Sequence, residues 1–141
     1  HGEIVSHNLG KIPAHLVRIG DEILSKIAVC EEKEMKEIDC VIIDELFLIE
    51  GGADACLRLY KLGYDVVIAS IDLNFAGVPF EEVQKIMPYC TRIVKCKAVC
   101  PICGDDARYT HRKTDDKTEI LVGADDIYEP RCQLHFEYMK A

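Results

Sequence analysis

The sequence predicts an α/β fold, a parallel sheet with crossover helices followed by a small β-rich module. Three observations carry this prediction. Between residues 38 and 99, short β-branched runs alternate with segments of helical period, the pattern of strands joined by right-handed crossovers. From Cys100 onward the pattern changes to short β-like pieces separated by Asp-Asp and Gly turns, with no long helix. Within that second stretch, Cys100, Cys103, Cys132 and His135 sit among turn residues as two close pairs. The chain therefore reads as an α/β part over 1–99 and an appended module over 100–141.

The elements follow in order. "IDCVIIDE" (38–45) is a β-branched run suited to a buried strand. "GGADACLRLYKLG" (51–63) reads as a helix, with Ala55, Leu59 and Leu62 on one face and Gly63 as its stop. "YDVVIASIDL" (64–73) is a second buried strand ending near a carboxylate, Asp72. "FEEVQKIMPYC" (80–90) predicts a helix with Phe80, Val83, Ile86 and Met87 on its apolar face. "TRIVKCKAV" (91–99) reads as a third strand. Ligand sites of open α/β sheets lie beyond the carboxyl ends of the strands. Asp44, Glu45 and Asp72 fall at such ends.

Composition excludes several classes. The 141 residues are 49% hydrophobic, enough for a real core, and carry a formal charge of −8. That acidity argues against a nucleic-acid surface, which needs clustered Lys and Arg. No apolar run reaches the ~20 residues of a membrane span. The amino terminus has no signal-peptide pattern and reads as the inside of a longer chain. Of eight cysteines, Cys30, Cys40, Cys56, Cys90 and Cys96 lie in or beside apolar segments and read as small buried hydrophobes. Without a secretory signal, reduced thiols and a cytoplasmic location are expected.

Cys100-x-x-Cys103 paired with Cys132-x-x-His135 is the strongest local signal. Thiolate and imidazole are what tetrahedral zinc prefers, and two-residue spacing lets one tight turn offer two ligands. Four closed protein ligands leave no open position, so the expected role is structural. A module this short lacks a large apolar core and is where such a staple is expected.

Asp44 and Glu45 raise a different question, because they interrupt the apolar run "CVIIDELFLI". Burying an unpaired carboxylate costs several kcal/mol or more, so the pair needs a partner, a metal or a job. A carboxylate ending a strand before a helix often holds Mg²⁺ in nucleotide enzymes, and a neighbouring Glu can accept a hydroxyl proton. Capping the next helix or pairing with Lys remains the alternative. The phosphate-binding pattern G-x-x-x-x-G-K-S/T is absent: Gly10-Lys11 has Val5 and Ile12 at its flanking positions, and Gly51-Gly52 has no following Lys. Phe75, Phe80, Tyr109 and Tyr128 lie in loops or at element edges, where each alone reads as core and together they could stack on a flat base.

In this order the pieces resemble the thymidine kinase family of animal cytosol, many bacteria and poxviruses. "VIIDE" is similar to the family's D-E-x-Q-F-F strand end. "VVIASIDLNFAGVPF" is similar to its L-D-x-x-F-x-x-x-P-F segment, and "IVKCKAVCPICGDDARYTHR" to its K-x-x-A-V-C-x-x-C-x-x-x-A-x-x-T-x-R segment. "EILVGADDIYEPRCQLH" is similar to its V-G-G-x-x-x-Y-x-x-x-C-R-x-C/H closure. The resemblance implies a parallel sheet of the P-loop kinase type, incomplete at its amino end, with a zinc-stapled lasso. It implies phosphoryl transfer from ATP to the 5′-hydroxyl of thymidine, in deoxynucleoside salvage for DNA synthesis. Asp44 then belongs to the Mg²⁺–ATP side and Glu45 is the general base. Thr110 and Tyr128 meet the nucleoside, with Phe75 and Phe80 lining its pocket. A homotetramer is the implied assembly.

The resemblance has departures. Phe47, Leu48 and Ile49 stand for the family's Gln-Phe-Phe, Ala124 for the second Gly of the lasso, and Gln133 for the Arg after the third zinc ligand. The family's Gly-rich loop, first helix and D-T-R element would precede His1. An incomplete representation of a full enzyme is the expected explanation. The alternative is a non-catalytic kinase-like half that binds a nucleoside or a sister subunit.

Overall fold

The computed structural model describes residues 2–5, 10–35, 37–118, 120 and 127–138. The chain divides into two compact units, 1–70 and 71–141. The expected division at residue 99 falls inside the second.

The first unit opens with a hairpin that the sequence reading did not assign. Strands β1 (Gly2–Val5) and β2 (Lys11–Ala14) pair antiparallel, with Lys11 3.1 Å from Glu3. Helix α1 (Gly20–Glu34) was not assigned either. Its apolar stripe is short: Ile23 and Ile27 are buried one turn apart, while Val29 on another face is exposed. Asp21 and Glu22 occupy its first turn, where the helix dipole favours negative charge. Gly20 is required at its start, since a Cβ there would lie 2.3 Å from the Gly51 carbonyl oxygen.

Strand β3 (Cys40–Asp44) and strand β4 (Asp65–Ala69) pair in parallel, Cys40 opposite Asp65 through Asp44 opposite Ala69. Helix α2 (Gly52–Lys61) is the crossover between them. The predicted strand–helix–strand unit is therefore present. Ala55, Cys56 and Leu59 are buried on α2, and the helix ends as Gly63 predicted. Gly63 takes φ +97°. Its N–H bonds to the Tyr60 carbonyl, and the Tyr64 N–H reaches back to Leu59. That pair of bonds closes the orphan carbonyls of the last turn. Leu62, expected on the buried face, is the capping residue of α2 and is 68% exposed.

The two strands are not buried on both faces, as their β-branched runs suggested. Val41, Ile43, Val66 and Ile68 point to one side and are buried or half-buried, whereas Ile42 and Val67 on the other side are exposed. The period of two explains this: one helix-covered face is satisfied and the alternate residues are left facing outward. Every sheet among the described residues has two strands, so the larger parallel sheet expected is reduced to the β3–β4 pair.

The second unit begins with loop 71–80, closed on itself. Leu73 and Pro79 form an antiparallel bridge, and the Phe80 N–H donates to the Asp72 carbonyl at 3.0 Å. Helix α3 (Glu81–Ile86) buries Val83 and Ile86 and then tightens into a single 3-10 turn at Met87–Tyr89, where Pro88 stops the regular helix. The predicted third strand is corrected. Residues 91–97 form no strand, and Ile93 and Val94 are exposed. Only β5 (Ala98–Val99) remains, paired antiparallel with β6 (Asp106–Ala107). An apolar run becomes a strand only where another strand accepts its ladder, and here Lys95 and Lys97 are held by side-chain ion pairs to Asp72 and Asp106 instead. Strands β7 (Tyr109–Arg112) and β8 (Tyr128–Arg131) form the last hairpin. Of the cysteines expected to be buried hydrophobes, Cys56 is; Cys40 is exposed on the outward side of β3, Cys90 past the end of the 3-10 turn, and Cys96 in the stretch that forms no strand. Among the described residues, no helix is long and apolar enough to cross a membrane.

Candidate functional site

The second unit brings Cys100, Cys103, Cys132 and His135 together, with all four ligand atoms within 4.8 Å of one another. The turn that does so is built by β5 and β6. The Cys100 N–H donates to the Asp105 carbonyl at 2.8 Å, and the Gly104 N–H returns to the Cys100 carbonyl at 2.9 Å. Gly104 supplies the left-handed φ of +81° that brings the chain round. The second pair is held by a bond from the His135 N–H to the Cys132 carbonyl, 3.1 Å. Cys100, Ala107 and Cys132 form the small buried cluster beneath.

The donor set fits a tetrahedral ion. Cys103 Sγ lies 3.6 Å from Cys132 Sγ, and His135 Nδ1 lies 3.2 Å from Cys132 Sγ and 3.9 Å from Cys100 Sγ. A tetrahedron with ligand bonds of about 2.3 Å has edges of about 3.7 Å. A sulfur pair at 3.6 Å is far beyond the ~2.05 Å of a disulfide, and the thiols are free. The local electrostatics favour a thiolate at one corner. Burial pushes the Cys100 thiol up, but backbone N–H donors from Cys132, Ile102 and Cys103, with the Cys103 side chain, outweigh it and bring it down to about 6. At Cys103 the Asp105 backbone N–H pulls down, yet burial, the hydrogen bonds shared with the Cys132 and Cys100 sulfurs and the bond the thiol donates to the Asp105 carboxylate push it up to about 11. The cluster can hold a metal ion such as zinc, which would keep all three sulfurs deprotonated.

Asp44 and Glu45 are brought to the carboxyl end of β3, where both are exposed. The burial cost their setting suggested does not arise. Asp44 Oδ1 accepts the Glu45 N–H at 3.0 Å. Glu45 itself adopts φ +53°, ψ +48°, a left-handed conformation uncommon for a residue with a β-carbon. Its carbonyl accepts the Leu48 N–H at 2.9 Å, opening a single 3-10 turn over Leu46–Leu48. The pair thus sits on a sharp, strained corner between a strand and the approach to α2, with Leu46 fully buried as its anchor. Asp72, the other strand-end carboxylate, lies three residues past β4 and is ion-paired with Lys95.

The aromatic residues separate into different environments. Phe80 is 6% exposed and belongs to the core under α3. Tyr109 stacks on Phe136 at 4.5 Å and meets Tyr138 edge-on. Phe75 and Tyr128 are half-buried and share one partner, Arg112. Thr110 is half-buried on β7, opposite Pro130. Ala124 of the expected lasso lies outside the described residues.

Two residues have structural roles here that the sequence reading did not assign, Asn74 and Arg112, the latter standing only as the last residue of the quoted T-x-R segment. Asn74, 8% exposed, accepts the Ala76 and Val78 N–H groups through Oδ1, each at 3.0 Å, and so sets the turn that carries Phe75. An Asn two or three residues before a Gly is a turn signal, and Gly77 here has φ +77°. Arg112 is 6% exposed. No local pattern marks an Arg for burial, because the rings that cover it, Phe75 and Tyr128, are distant in sequence.

A family model described as thymidine kinase matches residues 1–136. With that match spanning both compact units and the cysteine–histidine cluster, the chain belongs to the thymidine kinase family.

Proposed function

We propose that the chain belongs to a thymidine kinase that transfers the γ-phosphoryl group of ATP to the 5′-hydroxyl of thymidine. The family match over residues 1–136 is the observation that carries this reading. Glu45 is the proposed general base, and its exposed position on a left-handed corner supports a role that needs a carboxylate held out at a strand end. Asp44 is the proposed partner of the Mg²⁺ that accompanies ATP and neutralises phosphate charge. Phe75, Thr110 and Tyr128 are the proposed nucleoside contacts, with Phe80 supporting the loop from the core. Residues 100–141 act as a module that a structural zinc on Cys100, Cys103, Cys132 and His135 holds in shape. The parallel β3–β4 pair is consistent with part of a P-loop kinase sheet, and a cytoplasmic homotetramer is the proposed setting.

The chemistry asked of these residues is modest. A nucleoside hydroxyl needs a proton acceptor and correct placement, and a side-chain base typically contributes 10²–10⁴-fold. The test is thymidine-dependent ATP turnover by the full-length protein. Glu45→Gln keeps the shape but removes proton acceptance, and should lower kcat by about 10²–10⁴ with thymidine affinity nearly unchanged. Full turnover by that variant would make the pair a structural cap and favour a non-catalytic, kinase-like role.

A further inference from the structure

Arg112 is the most buried charged side chain among the described residues of the second unit. It is 6% exposed. One guanidinium nitrogen, Nη1, donates to the Asp116 carbonyl at 2.9 Å and also to the Thr118 carbonyl. The other, Nη2, donates to the Tyr128 hydroxyl at 2.8 Å. The guanidinium carbon lies 3.6 Å from the Phe75 ring centroid and 5.3 Å from that of Tyr128. A single planar group therefore ties together three segments: the turn after β7, the start of β8 and the Asn74-set loop that carries Phe75.

We infer that Arg112 is the positioning residue that sets thymidine affinity, acting through Phe75 and Tyr128 rather than on the reacting atoms. This rests on the thymidine kinase reading, in which those two aromatics meet the nucleoside. The physical argument is the shape of the group. A guanidinium presents its donors in a fixed plane and stacks on rings through its face. Hydrogen bonds in that plane fix the Tyr128 hydroxyl and the 116–118 carbonyls, while the stack fixes the Phe75 ring. The three positions cannot then vary independently. A Lys at the same place keeps the charge but offers a flexible point donor, with neither the fork nor the stacking face.

The test is Arg112→Lys in the full-length protein, alongside Tyr128→Phe and the double variant. For Arg112→Lys the thymidine KM should rise about 10-fold or more, with kcat and the ATP KM within about 3-fold, the split expected when substrate positioning alone is lost. Tyr128→Phe should raise the thymidine KM in the native background and add little in the Arg112→Lys background, because the two act as a unit. Unchanged thymidine KM, or additive effects of the two substitutions, overturns the inference while leaving the kinase reading intact. Absence of thymidine turnover in the unaltered protein overturns the kinase reading instead. In that event hydrogen exchange decides the positioning role: faster exchange over 113–118 and 127–131 in Arg112→Lys, with 98–107 unchanged, supports it, and unchanged exchange refutes it. Should Arg112→Lys fail to fold, Tyr128→Phe alone decides, since it removes only the oxygen that Nη2 meets.

Discussion

Replacing Glu45 with glycine should stabilise the protein while removing its proposed chemistry. Glu45 is exposed and holds φ +53°, so the substitution removes no buried surface. A left-handed conformation costs a residue with a β-carbon about 1–2 kcal/mol. Glycine escapes that cost but loses about 0.5–1 kcal/mol more backbone freedom on folding. The expected net gain is therefore about 0.5–1 kcal/mol. Glu45→Ala is the control: it loses the carboxylate yet keeps the β-carbon, so it keeps the strain and should leave stability close to the native value. The Asp44 carboxylate bond to the backbone N–H survives in both. Urea unfolding of the full-length protein compares the three, read as midpoint shifts at constant slope. Thymidine turnover should fall in both variants as far as in Glu45→Gln. A Glu45→Gly variant no more stable than Glu45→Ala would show that this corner carries no strain. The argument linking its conformation to a functional demand would then fail.

Metal analysis of the purified protein should find one tightly held zinc per chain. Cys103→Ser or His135→Ala should release it and open residues 98–138 to protease; a metal-free preparation that stays protease-resistant would refute the assignment. Because thiols and imidazole bind metal only when deprotonated, zinc should also dissociate progressively as pH falls, and release that is independent of pH would argue against Cys/His ligation. Asn74→Ala strips the acceptor from two N–H groups and should cost about 1–3 kcal/mol by chemical unfolding, with no change if the loop is held by other contacts.

What the sequence disclosed, and what it concealed, follows the range of the interactions involved. The β3–α2–β4 unit was legible because its signals are local: β-branched runs, a helical period and a glycine whose left-handed φ ends α2. The cysteine–histidine cluster was legible for the same reason, each pair being set by a single turn. The stretch 91–99 misled because apolar, β-branched composition reports compatibility with a strand, not the presence of a neighbour to pair with. Leu62 misled because helical spacing shows which residues share a face, not how far along the helix that face is covered. Arg112 stood in the quoted T-x-R segment, but its burial was not legible, because that depends on carbonyls, a phenol and a ring from three separate segments.

The two adjacent carboxylates of "CVIIDELFLI" show how pattern and geometry divide the work. The apolar run suggested burial, and burial would have demanded a partner for each charge. The fold resolves the conflict differently. Ile43 points into the core, while Asp44 lies on the exposed side at the last position of β3. The left-handed turn at Glu45 then redirects the chain, so that the very next residue, Leu46, is fully buried. An ordinary extended residue at 45 would continue the strand instead of opening the turn that leads into α2. The apolar residues on either side are thus the anchors that make the strained corner affordable, and the corner is what keeps the Glu45 carboxylate in solvent at a strand end. Conformational cost at Glu45, apolar anchoring at Ile43 and Leu46, and exposed carboxylates at a β-strand terminus are one arrangement, and substituting Leu46 by Ala should relax the corner and lower turnover without touching either carboxylate. A Leu46→Ala protein that unfolds more readily, as a cavity of about 2–5 kcal/mol requires, but retains full kcat would separate the anchor from the function.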